Sequence, residues 1–148
     1  MAFSTKIPPA EREALLAAPI IGVLSVAAEP GRAPLTTPIW HAYTPGGEVE
    51  VLTSPGSRKT KLIEAAGRFA LCVQDPGAIR YVTAEGPVTG VRPVTDEDRL
   101  AMARRYLPEE AAVAYVRGTP GQAGNVVLTM RPERWNTADF SNLSEELG

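Results

Sequence analysis

The amino-acid sequence predicts a mainly β fold with helices, an antiparallel β-barrel, on three observations. Six strand-length runs recur along the chain, and most neighbours are joined by short Pro/Gly turns. Helices interrupt them too irregularly for a doubly wound sheet, which alternates the two element types. The longest run contains Gly86-Pro87, an irregularity at which a strand bends so that a sheet can curl.

Pro8-Pro9 followed by Ala10-Glu11-Arg12-Glu13-Ala14-Leu15-Leu16 predicts a first helix, since proline is tolerated in a first turn and acidic residues suit the dipole there. Pro19 ends it. Ile20 to Ala27 is β-branched and apolar, a strand closed by the turn Glu29-Pro30-Gly31-Arg32. Leu35 to Thr44 is the second strand, and Pro38 inside it, with no N–H for a ladder, predicts an edge or a bulge. Pro45-Gly46-Gly47 returns the chain into the alternating strand Glu48 to Thr53. Ser54-Pro55-Gly56 breaks that strand. Ser57 then caps a helix over Arg58–Ala66, and Gly67 suits its C-terminal end. Arg68 to Gln74 and Ile79 to Val91 are strands joined by Asp75-Pro76-Gly77. Thr95 caps a helix running to about Tyr106, and Pro108 opens another to about Arg117. A loop from Gly118 to Gly124 leads into the last strand, Asn125 to Arg131. The whole of 1–148 is predicted as one domain, with 1–9 and 140–148 poorly ordered.

A chain of 148 residues, 44% apolar and 22% charged, can bury a core without a covalent staple. The net charge of −2 and the 6% aromatic content supply no basic stacking face, which argues against a nucleic-acid partner. No segment reaches the roughly 20 apolar residues of a membrane span, and Met1–Ala10 holds no apolar run of leader length. A reducing cytoplasm is the expected location. Cys72, the sole cysteine, can form no intrachain disulfide, and its place in Phe69-Ala70-Leu71-Cys72-Val73 predicts a buried, structural thiol. One histidine and one cysteine offer neither a hydrolytic triad nor a metal cluster.

The stretch Thr53-Ser54-Pro55-Gly56-Ser57-Arg58-Lys59-Thr60-Lys61 carries the strongest chemical signal. A strand ends, a glycine-containing turn follows, and hydroxyl and basic residues gather where a helix begins. Free N–H groups and the dipole favour an anion at such a place. Adjacent cations oppose that dipole unless something negative sits among them, and both arginine and lysine suit phosphate.

Ser57-Arg58-Lys59-Thr60-Lys61-Leu62, after a strand ending in Leu52-Thr53, resembles the phosphate signature of the pyridoxamine-5′-phosphate-oxidase-like flavoproteins. Pro38-Ile39-Trp40, Gly67-Arg68-Phe69-Ala70-Leu71-Cys72-Val73, Glu85-Gly86-Pro87-Val88 and Met130-Arg131-Pro132-Glu133-Arg134 are similar to that family's other segments, in the same order. The resemblance implies a six-stranded split β-barrel that forms a homodimer and holds FMN between subunits. It implies that Arg58 and Lys59 bind the flavin phosphate, assisted by Thr53, next to Leu52, and by Ser57. Thr36, Thr37, Pro38, Ile39 and Trp40 would line the ring. Tyr81 would approach it from the second subunit, where the oxidases present a glutamine. Arg134-Trp135-Asn136-Thr137-Ala138-Asp139-Phe140 replaces the oxidases' motif for substrate phosphate, so a true pyridoxamine phosphate oxidase is not expected. The implied activity is hydride transfer to or from a small conjugated substrate.

Alternatives stay open at this level. A deazaflavin, coenzyme F-420, has a long acidic tail that Lys61, Arg68 and Arg80 would help to hold. A non-catalytic flavin-binding protein would share the fold, and a haem-handling barrel would have His41 alone as axial ligand. His41 reads as a polar strand residue on the face opposite Trp40, and Trp40 as either a stacking wall or barrel filling. Trp135 reads as a core or dimer contact, and Arg104-Arg105 as a solvated helix face.

Overall fold

The computed structural model describes residues 4–141 and 143. Helix α1 (Pro9–Ala17) precedes strands β1 (Gly22–Val26), β2 (Leu35–Ile39), β3 (His41–Tyr43) and β4 (Val49–Thr53). Helix α2 (Arg58–Ala66), strands β5 (Arg68–Gln74) and β6 (Arg80–Pro93), helices α3 (Asp96–Tyr106) and α4 (Glu109–Gly118), a 3-10 turn (Pro120–Gly124), and strands β7 (Val126–Met130) and β8 (Arg134–Asp139) follow.

The strands pair antiparallel in the order β2-β1-β5-β6-β7-β4-β3. Trp40 alone separates β2 from β3, so the path returns to its own beginning. Counted as one bent strand, β2 and β3 make this the expected six-stranded split barrel. Pro38 sits in β2, which among the described residues pairs only with β1, the kind of edge strand in which a residue without an N–H is tolerated. Inward-facing Leu24, Leu71, Val73, Val82, Val49, Val51, Leu128 and Met130 are all fully buried, each contributing roughly 1.5–3 kcal/mol of transfer energy. Leu62 and Ile63 of α2 and Leu15 and Leu16 of α1 join the same core.

The long strand β6 is the hinge of the architecture. Its first half pairs with β5 and β8, and its second half with β7, with a register shift between Val88 and Gly90. At Gly86 the chain leaving β7 crosses over it: Arg131 N–H donates to Pro87 O (3.1 Å) and Glu133 N–H to Glu85 O (2.9 Å). A Cβ on Gly86 would lie 1.7 Å from the Arg131 carbonyl oxygen. Only glycine admits that crossing.

Three expectations are corrected. Leu35–Thr44 is two strands, because the backbone turns a corner at Trp40. Strand β8 lies in a segment for which no strand is predicted; its residues pair with β6 through the backbone, without the apolar alternation that marks a strand in sequence. Cys72 is half-buried rather than buried, since Leu71 and Val73 take the inward positions and the thiol stands on the outer face beside Val23 and Thr83. Of the termini expected to be poorly ordered, residues 1–3, 142 and 144–148 lie outside the described residues. Ile7 is buried and its N–H donates to Thr137 Oγ1 (3.0 Å), while Thr5 O accepts from Asp139 N–H (2.8 Å), so β8 holds this part of the N-terminal segment.

Candidate functional site

Two neighbouring features share strand β4. Thr53, at its end, points inward to the start of α2, whereas Leu52 points outward beneath α3.

At the start of α2, Ser57 is the N-cap, with extended backbone and Oγ accepting from Thr60 N–H at 3.2 Å. The hydroxyls of Thr53 and Thr60 lie 3.0 Å apart, and those of Ser57 and Thr60 2.9 Å. Both Thr60 Oγ1 (2.6 Å) and Ser57 Oγ (2.9 Å) donate to Ser54 O. Thr53, 3% exposed, thus braces the corner from within instead of facing solvent. The amide N–H groups of Arg58 and Lys59 have no backbone acceptor, as for the first residues of any helix. Arg58 is exposed, and Glu29 in the β1–β2 turn grips its guanidinium: Nη2–Oε1 is 2.7 Å and Nε–Oε2 3.3 Å. That contact holds the Glu29 carboxyl down at about 2. An ion pair this open to water contributes little, so an incoming anion can displace it. Lys59 differs. It is half-buried with no ion-pair partner among the described residues, and loss of water holds its ammonium below the usual value. Free amides, an unpaired and partly desolvated lysine and a displaceable arginine fit a phosphate group.

Below α3 and α4 is a cavity of about 170 Å³ lined by Ile39, Trp40, Leu52, Arg99, Met102, Tyr115, Gln122 and Asn125. Trp40 stacks on Tyr106 (centroids 5.1 Å apart, planes 9° apart) and meets Tyr115 at 5.3 Å. It is therefore a cavity wall and not barrel filling. Thr36, Thr37 and Pro38 run along β2 toward this wall, Thr36 and Pro38 exposed beside Ser25 and Val23. Tyr81 lines neither feature; it sits near the start of β6, paired with Gln74 and Ala138. Sequence reasoning missed Arg99, Met102, Tyr115, Gln122 and Asn125. They come from separate turns of the helical excursion and share no local pattern.

His41 is fully buried. Its Nε2–H donates to Leu16 O (2.7 Å), Nδ1 lies 3.3 Å from the Tyr106 hydroxyl, and burial lowers its pKa. The ring is a structural polar group, with no free nitrogen for an axial bond. Arg105, expected on a solvated face, is corrected: Nε donates to His41 O (2.9 Å) and Nη2 to Ala17 O (3.0 Å), tying α3 to β3 and to the end of α1. Arg104 is exposed and pairs with Glu109. Trp135 packs against the core, edge-on to Tyr43 and beneath Arg12.

No family model and no curated protein matches the chain. Solved structures do. An F-420 reductase superposes with a TM-score of 0.69 at 26% identity, over 84% of this chain and 94% of its own. A conserved hypothetical protein from Mycobacterium tuberculosis gives 0.72 at 18% identity, covering 95% and 89%. A Clostridium acetobutylicum protein related to general stress protein 26, of the pyridoxinephosphate oxidase family, gives 0.64 at 12%, covering 89% and 88%. In fold, this chain is a split β-barrel of the pyridoxamine-5′-phosphate-oxidase-like kind.

Proposed function

We propose that the chain is a flavin-dependent oxidoreductase, a cytoplasmic homodimer that binds FMN at the subunit junction and passes hydride to or from a small conjugated substrate. The observation that carries this reading is the start of α2. There a partly desolvated Lys59, with no counter-ion among the described residues, adjoins two free helix amides at the end of a barrel strand. Bound flavin would supply the two-electron chemistry. The chain's part is to anchor the phosphate through Lys59, the Arg58 and Lys59 amides and the Arg58 fork, with Thr53, Ser57 and Thr60 bracing the corner. Thr36 to Trp40 would line the flavin ring and help to exclude water from it, and Tyr81 of a second copy would complete the groove. No helix among the described residues is long and apolar enough to cross a membrane.

A deazaflavin is the second reading, favoured by the likeness to an F-420 reductase. Lys61 and Arg68 are exposed on α2 and β5 and can meet an acidic tail; Arg80 is held by Asp75 at 2.9 Å. Separate titrations with FMN and coenzyme F-420, followed by absorbance and fluorescence, decide between them. Lys59→Ala should weaken binding of the preferred coenzyme by about 1.5–3 kcal/mol, and Arg58→Ala by less, because the arginine must first leave Glu29. Unchanged affinity in both variants removes the phosphate assignment. A coenzyme that binds but is reduced by no nicotinamide makes the protein a flavin carrier instead.

A further inference from the structure

Arg99 is the one buried cation among the described residues, 7% exposed, and it lines the cavity beneath α3 and α4. Its Nη2 donates to Val116 O (3.0 Å), Thr119 O (2.6 Å) and Thr119 Oγ1 (3.1 Å). These neutral acceptors satisfy hydrogens without cancelling the charge. The nearest carboxylate, Asp96, stands 3.5 Å from Nη1 and is 89% exposed, so water screens most of its effect. The buried Nε has no acceptor among the described residues. A buried guanidinium left short of a close anion costs stability unless something else supplies one.

The rest of the lining describes what that is. Trp40 offers a flat face already held in place by Tyr106, Ile39, Leu52 and Met102 are apolar, and Asn125 adds a side-chain amide to the lining. A cavity of about 150 Å³ takes one benzene ring, and this one measures about 170 Å³. We propose that it binds a single-ring aromatic carboxylate, with the ring against Trp40 and the carboxylate on the Arg99 guanidinium. Binding of the ring acid stands apart from the flavin reading; only its role as the hydride partner rests on that reading.

The test uses the full chain carrying Trp135→Phe, which leaves Trp40 as the sole indole. Its fluorescence is titrated with benzoate and with benzamide, the neutral counterpart of the same shape. Benzoate should quench saturably and bind about tenfold or more tightly than benzamide, the discrimination of one charge-assisted contact. Leu52→Phe, which fills this cavity but not the separate open groove that Arg99 also lines with Leu100, Val113 and Pro120, should abolish the quenching. Arg99→Gln should erase the preference for benzoate and Arg99→Lys should keep part of it. If circular dichroism shows that Arg99→Gln is unfolded, the benzoate-to-benzamide ratio and Leu52→Phe still decide. Absence of saturable quenching, equal affinity for the two probes, or binding indifferent to Leu52→Phe overturns the proposal. Benzoate binding in a chain that takes neither FMN nor F-420 confirms the cavity and overturns the flavin reading alone.

Discussion

His41 sits where a candidate acid would be sought and does something else. Burial lowers its pKa below the ordinary 6.5, and Nε2 must keep its hydrogen to serve the Leu16 carbonyl. Gly22 makes room for the ring, since a Cβ there would lie 3.2 Å from Nδ1 and 2.8 Å from Leu71 Cδ1. The native state therefore refuses a proton that the unfolded chain accepts. Stability is full above about pH 6.5 and is lost as pH falls from there toward the lowered native value. The shifted carboxylates, Glu13, Glu29, Asp75, Asp98, Glu109 and Asp139, all move downward, so what they contribute is lost only in more acid solution. As the chain has one histidine, a fall in thermal midpoint between pH 7.5 and 5.5 belongs to His41. Calorimetry should show that fall in the wild type and a nearly flat profile in His41→Gln. A variant with the same slope as the wild type would assign the effect elsewhere.

Among elements, those that local chemistry determines were legible in the sequence. The bounds of α2 are the predicted ones, because Ser57 accepts from Thr60 N–H at one end and Gly67, at φ 70°, terminates the other. Thr95 likewise begins α3 through a reciprocal bond with Asp98. Strand β8 was illegible for the opposite reason: Arg134 to Asp139 becomes a strand by pairing with β6, and neither its composition nor its alternation announces that partner. The basic mouth of α2 could be read from nine consecutive residues, whereas the cavity draws on positions from Ile39 to Asn125. Arg105 misled for the same reason, since its acceptors Ala17 and His41 lie far away in the chain. Gly86 links the two levels. Sequence marks it as a bend, and the crossing of the Arg131 carbonyl explains why the bend must be glycine. Gly86→Ala should destabilise the fold by several kcal/mol, by forcing β7 and β8 off β6, while Gly121→Ala, which meets nothing within 4 Å, should change little. Urea denaturation of the two variants checks this; a Gly86→Ala protein of wild-type stability would mean that the crossing relaxes freely.

For the whole molecule, cofactor, fold and assembly are coupled if the proposed groove is shared between two copies. A net charge of −2 opposes self-association only weakly. A ligand that binds the native dimer and not the unfolded chain stabilises it by about 2.7 kcal/mol at a hundredfold excess over Kd. For a domain of about 150 residues this corresponds to a rise of roughly 5–11 °C in thermal midpoint. Because the site would need two chains, the midpoint should also climb with protein concentration, and more so with FMN present. Sedimentation at micromolar concentration, with and without FMN, separates this from binding to a single chain. A midpoint that rises with FMN but is indifferent to protein concentration, together with a monomer in the centrifuge, would place the whole flavin site on one copy and leave Tyr81 without a role.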